Sequence, residues 1–170
     1  MNKLEVFFDY SCPFCSLGHQ YIKDLIKRFR NLEIVWRPCE AHPRPEKYGP
    51  HSDLCIRGLF YAMDEEVDVW AYHDAMYKAA VTDQVDIENI IVLSAYVRGL
   101  LDPDEFIRTI KRGDYKKELD DANYYAYDRT GVWVIPAFRL NGRKLDAVEG
   151  KGITKDELMR FIEHSMEYKL

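Results

Sequence analysis

Cys12 and Cys15, two residues apart in FFDYSCPFCSLGHQ (7–20), are the side chains of this sequence best suited to covalent chemistry. A C-x-x-C pair can bridge, supply half a zinc site or be two unrelated thiols. At a helix start, Cys12 would meet unpaired N–H groups and the positive end of the helix dipole, which stabilise a thiolate. Cys15, one turn later on the same side and closer to the core, should keep its proton longer and act as a resolving thiol. Pro13 suits the first helical position, where its missing N–H had no partner, and neither Pro13 nor Phe14 adds charge.

His19 lies four residues after Cys15 on the same predicted helix face, as a candidate proton shuttle or as a polar contact at the helix margin. Cys39 and Cys55 stand sixteen apart, outside any second C-x-x-C, and read as buried or incidental thiols; no metal is expected. The aromatic run ANYYAYDRTGVW reads as core and helix surface. Far downstream, VIPAF puts Pro136 at the head of a strand, where a cis bond after Ile135 would leave backbone groups able to pair with an extended substrate.

Elements must hold these residues together. LEVFFDY (4–10) reads as a strand, SLGHQYIKDLIKRFR (16–30) as a helix with Ile22, Leu25, Ile26 and Phe29 on one face, and LEIVWRPCE (32–40) as a second, parallel strand. From Ser52 to about Asp128 the period is helical. Asp86 is expected to cap IENIIVLSAYVR, and Asp102, Pro103, Glu105 and Gly113 to frame a further helix with a capping box. VWVIPAFRL and KLDAV flank Asn141-Gly142, the dipeptide of a type I′ hairpin. Thr154 and Glu157 then open the amphipathic helix TKDELMRFIEHSMEY, with Leu158, Phe161, Ile162 and Ser165 inward. The order is β-α-β, helical insert, β-β-α: an α/β outline of a thioredoxin fold interrupted by an all-helical insertion, with residues 1–50 and 129–170 forming one domain and 51–128 a lid.

Bulk composition sets bounds. A 170-residue chain that is 47% hydrophobic can bury a substantial core. Its net charge of −5, with both signs interspersed, offers no clustered basic surface, so nucleic acid is not an expected partner. MNKLEVFF carries neither a signal-peptide core nor a spanning segment, which suggests a cytoplasmic protein not embedded in a membrane. In a reducing compartment a C-x-x-C is read as catalytic or metal-binding before structural.

The chain resembles the DsbA-like thioredoxin family, and within it the FrnE-type branch that also includes hydroxychromene-carboxylate isomerases and kappa-class glutathione transferases. FFDYSCPFCSLG, WRPCEAHPRPE, the helical insert, DRTGVWVIPAFRLNG and AVEG carry the likeness. It implies thiol–disulfide exchange with protein or small-molecule thiols, Cys12 as nucleophile, Cys15 as resolving thiol and Pro136 as a cis-proline after Ile135. Pro13, Phe14, Ile135 and Pro136 would then contact substrate, with the inserted helices bounding an apolar groove.

Relatives of the periplasmic type carry a buried acid on the first strand; the expected register puts Val6 there, with Glu5 and Asp9 only nearby. Isomerase and transferase relatives have Ser where Cys12 stands, which favours redox chemistry. No cofactor is expected beyond glutathione as a co-substrate, and the oligomeric state is left between monomer and homodimer. The rival readings are a glutathione-dependent isomerase or transferase and a non-catalytic zinc-binding or chaperone module.

Overall fold

A computed structural model describes residues 1–167. The end of the last predicted helix, at Tyr168, lies outside them. Among the described residues, four strands form one sheet in the order β2-β1-β3-β4: β1 (Asn2–Phe8), β2 (Leu32–Pro38), β3 (Ala137–Leu140) and β4 (Arg143–Asp146). β1 runs parallel to β2, with Val6 opposite Trp36, and antiparallel to β3, with Val6 opposite Phe138. This is the mixed sheet of a thioredoxin fold, and the helical insertion expected from the sequence joins β2 to β3.

The central strand alternates between two cores, as its period of two requires. Leu4, Val6 and Phe8 face the larger cluster, which includes Ile22 and Leu25 of α1 (Pro13–Leu25) and Leu158 and Ile162 of α7 (Lys155–Glu167). Phe7 faces the other way, onto Cys39, Ala126, Val132 and Ala137. Both faces of β1 are therefore covered at its C-terminal end, which accounts for the apolar run Val6-Phe7-Phe8.

The insertion comprises α2 (Asp53–Asp64), α3 (Val69–Tyr77), α4 (Ile90–Tyr96), α5 (Pro103–Lys111) and α6 (Lys116–Tyr124); π-helical turns at Lys78–Thr82 and Tyr125–Arg129 extend α3 and α6. It meets the sheet through aromatic edges: the His73 ring lies 4.3 Å from Trp36 and 5.1 Å from Phe8, and Tyr125 stacks on Phe7 at 6.2 Å. Inside it, Gly58 of α2 has no room for a side chain. An added Cβ would run into the Tyr72 hydroxyl and lie 2.6 Å from Phe106 Cε2, and that hydroxyl donates to Cys55 O at 2.8 Å. Overpacking of this kind costs about 1–3 kcal/mol and a strained buried hydrogen bond about 1 more, against about 1 kcal/mol gained by replacing a helical glycine. Gly58→Ala is therefore expected to lower stability by a net of about 1–3 kcal/mol, read as a lower urea midpoint at unchanged slope; an unchanged or raised midpoint would contradict this packing.

Several boundaries differ from the sequence expectations. β1 ends at Phe8, not residue 10, because the Asp9 carboxylate turns back to accept Ser11 N (2.9 Å) and Ala41 N (2.5 Å). α1 starts at Pro13, as expected for a helix opening at Cys12, but ends at Leu25 and tightens into a 3₁₀ turn at Ile26–Arg28 instead of running on to residue 30. Asn89, not Asp86, caps α4, accepting from Ile91 N and Val92 N; Asp86 is spent on the preceding turn, accepting from Glu88 N. Asp102 caps α5 as expected, but Glu105 pairs with Arg108 instead of closing the box. The Thr154–Glu157 box does close in both directions, at 2.7 and 3.2 Å. Asn141 and Gly142 take φ of 49° and 78°, the left-handed pair a type I′ turn needs.

Candidate active site

The end of β1 and the start of α1 build the thiol site. Cys12 is the N-cap of α1, with φ −92° and ψ 113°, and Pro13 occupies the first helical turn. The cap geometry aims the Cys12 sulfur back at the helix, where it accepts Cys15 N at 3.2 Å. Across the site, Cys12 Sγ lies 4.0 Å from Ile135 O. Cys12 is half-buried and Cys15 is buried.

The two thiols are electrostatically unequal. A hydrogen bond from the Cys15 thiol, with backbone N–H groups of Cys15 and Phe14, holds the Cys12 thiol below the ordinary range against burial and the charge of Asp9. Burial, with Cys12 beside it, pushes Cys15 well above that range. The neighbouring thiol, ahead of the helix amides, is the leading cause at Cys12, a contribution that spacing alone did not reveal.

The Ile135–Pro136 peptide is cis. Its proline packs on α1 at Gly18, where an ideal Cβ would sit 3.4 Å from Pro136 Cγ, in ordinary contact. Pro136 O accepts Ala147 N at 3.0 Å, tying the loop after β4 to this corner. The loop ends at Gly152, with φ +72°, where an added Cβ would lie 2.7 Å from Phe14 Cδ1. Gly152 thus lets the C-P-F-C turn and the 147–152 loop close on one another beside the proline loop. Pro13 stays exposed, whereas Phe14 is half-buried in this contact.

Asp9 is the residue that sequence reasoning underrated. Val6, expected where relatives carry a buried acid, does pack in the apolar core; Asp9, set aside as only nearby, places a carboxylate three residues before Cys12, 1% exposed. Burial raises its pKa despite the N–H groups of Ala41 and Ser11. Its charge acts on all four thiols, raising each. The available signal was an Asp next to aromatic residues at the end of a strand leading into a C-x-x-C.

His19 is brought elsewhere. It is buried, not marginal, and its Nε2 meets Asp74 Oδ1 of α3 at 2.9 Å, with burial lowering its pKa. The ring lies 5.9 Å from Trp36 and 5.5 Å from Trp70, a joint between α1 and the insertion. Cys39 and Cys55 are fully buried, and burial pushes Cys39 up to about 12.

Beside Ile135 opens a cleft of about 680 Å³ between residues 40–46 and 132–135, with Glu149 of the post-hairpin loop on its rim. Among the described residues no helix is long and apolar enough to cross a membrane.

Residues 3–153 match the family described as the DSBA-like thioredoxin domain. The uncharacterized protein YwbO of Bacillus subtilis (strain 168) is 22% identical, over 88% of this chain and 92% of its own. The crystal structure of a probable DsbA oxidoreductase from Streptomyces coelicolor superposes with a TM-score of 0.82 at 16% identity, covering 100% of this chain and 92% of that one. BdbD from Bacillus subtilis, in its oxidised form, gives 0.73 at 15% identity over 98% and 88% of the two chains.

Proposed function

The chain belongs to the DSBA-like thioredoxin domain family, and from that premise we propose that it is a dithiol–disulfide oxidoreductase working through Cys12 and Cys15. The observation that carries this reading is the inequality of the pair: a helix-capping thiol held low beside a buried one held high, facing the backbone of Ile135 next to a cis-proline. A low thiol supplies thiolate at neutral pH, which is the attacking species.

In the reducing direction, the Cys12 thiolate attacks one sulfur of a substrate disulfide. That S–S bond breaks, a substrate thiolate leaves, and Cys12 is held in a mixed disulfide. Cys15 must then lose its proton. We assign that proton to Asp9, a buried carboxylate three residues before Cys12 whose raised pKa makes it a stronger base than an ordinary aspartate. The Cys15 thiolate attacks Cys12 Sγ, the mixed disulfide breaks and the second substrate thiolate departs. Two electrons have moved to the substrate and one bridge has formed in the protein; the oxidising direction runs the same steps backwards. Pro13, Phe14, Ile135 and Pro136 frame the approach to Cys12, and an extended substrate strand would pair with the backbone before Pro136. His19, committed to Asp74, has a joint-forming role here rather than that of a shuttle.

The test is to equilibrate the protein in glutathione redox buffers, trap free thiols by alkylation and map the bridge by mass. A Cys12–Cys15 bridge is expected, with Cys12 the fastest of the four thiols to alkylate at about pH 6.5. A bridge between other cysteines, or none at any poise, defeats the proposal.

A further inference from the structure

The cleft beside the thiol site carries more charge than exchange chemistry needs. Three carboxylates line it, those of Glu40, Glu46 and Glu149, and His42 is the only basic side chain among the lining residues. Glu40 is fixed in place: Asn123 Nδ2 donates to its Oε2 at 2.7 Å, and its backbone N–H donates to Asn123 Oδ1 at 2.8 Å. Among the described residues, its other carboxylate oxygen has no hydrogen-bond partner. Among them too, Glu46 has only a long contact of 3.4 Å to His42, and Glu149 has no ion-pair partner. The opposite wall is apolar and holds Trp133, whose ring is 88% exposed. That wall runs into Ile135, whose carbonyl lies 4.0 Å from Cys12 Sγ, so whatever fills the cleft approaches the attacking sulfur.

We infer that this cleft makes the protein selective for cysteine-bearing peptides with Lys or Arg beside the reacting cysteine, and against anionic disulfides such as glutathione disulfide. The inference rests on the redox reading above and names its substrate class. Carboxylates around a concave surface concentrate cations and raise their encounter rate by about 10- to 10³-fold at low salt. An exposed indole adds a face on which an ammonium or guanidinium can sit. The same field repels a glutathione disulfide, whose carboxylates leave it with net negative charge.

The experiment uses three probes with one leaving group: a neutral alkyl pyridyl disulfide, and the pyridyl disulfides of two short peptides, in which Lys or Glu flanks the cysteine. Release of pyridinethione by the reduced protein is followed, and each peptide rate is divided by the neutral rate on the same protein, then by the same ratio for free dithiothreitol. The Lys peptide is expected to lead the Glu peptide by about tenfold or more at low salt. That lead should shrink toward one at about 0.5 M salt, where charges beyond a few ångströms are screened, and in the Glu46→Gln, Glu149→Gln double variant, which should also react faster with glutathione disulfide. Equal rates for the two peptides in a protein that reacts normally with the neutral probe would overturn the inference and leave the redox reading standing. A lead that survives both salt and the double variant would overturn it too, and inertness toward all three probes would overturn both.

Discussion

Cys12→Ser is expected to lose disulfide-exchange activity by about 10³-fold or more, because a serine hydroxyl supplies no anion near neutral pH and removing a nucleophile removes the covalent route. Cys15→Ser should behave differently. Its Cys12 still attacks, but no resolving thiol remains beside it to expel the substrate, so the protein should accumulate as a mixed disulfide whose mass equals protein plus one substrate thiol less two hydrogens. If both variants failed equally to form the adduct, the division into attacking and resolving thiols would be wrong.

The same pair gives a finer test of what activates Cys12. The leading stabilisation of its thiolate comes from the Cys15 thiol, ahead of the backbone N–H groups. Cys15→Ala deletes that donor, so the Cys12 thiol should titrate higher than in the native protein, as read from ultraviolet thiolate absorbance. Cys15→Ser keeps an O–H in roughly the same place and should move it less. If Ala and Ser gave the same titration, the helix end alone would account for the low thiol.

What could be read from the chain was whatever is local. The Asn141-Gly142 turn, the Thr154–Glu157 box, the Asp102 cap and the C-x-x-C at a strand-to-helix junction each depend on residues within four positions of one another, and each formed as expected. The sequence misled where an outcome depends on a partner far along the chain. His19 looked like a helix-margin residue because Asp74 and Trp70, which bury it, lie more than fifty positions away. Asp86 and Asn89 could each cap α4, and only the turn between them decides in favour of Asn89. Gly152 carried no visible signal, since its function is to leave room for Phe14. The acid was set aside by register: counting along the strand found Val6 where relatives carry it, and Asp9 looked only nearby, whereas the chain buries Asp9 just past the end of β1, where Ala41 and Ser11 supply N–H groups.

Asp9 therefore bears the second large prediction. Asp9→Asn should slow resolution by about 10²- to 10⁴-fold, the usual range for loss of a positioned proton acceptor, while leaving attack by Cys12 intact or slightly faster. The two steps part because the Asp9 charge raises the Cys12 thiol, so neutralising it increases the thiolate fraction there even as Cys15 loses its base. Stability cannot substitute for kinetics in this test. The folded pKa of Asp9 is raised above 3.8, so its contribution to stability is fully present below about pH 3.8 and is lost as pH rises through the folded value, where the buried group ionises. Asparagine removes that cost but turns an amide toward one of the two N–H groups now bound, and the two changes oppose each other. Rapid mixing with a chromophoric disulfide separates the steps directly: release of the first thiol reports Cys12, release of the second reports Cys15. A general structural defect would slow both, and equal slowing would remove Asp9 from the proton path. In the native protein the second step should also rise with pH through the raised Asp9 pKa, as the carboxylate becomes available to take the proton, and that limb should vanish in Asp9→Asn.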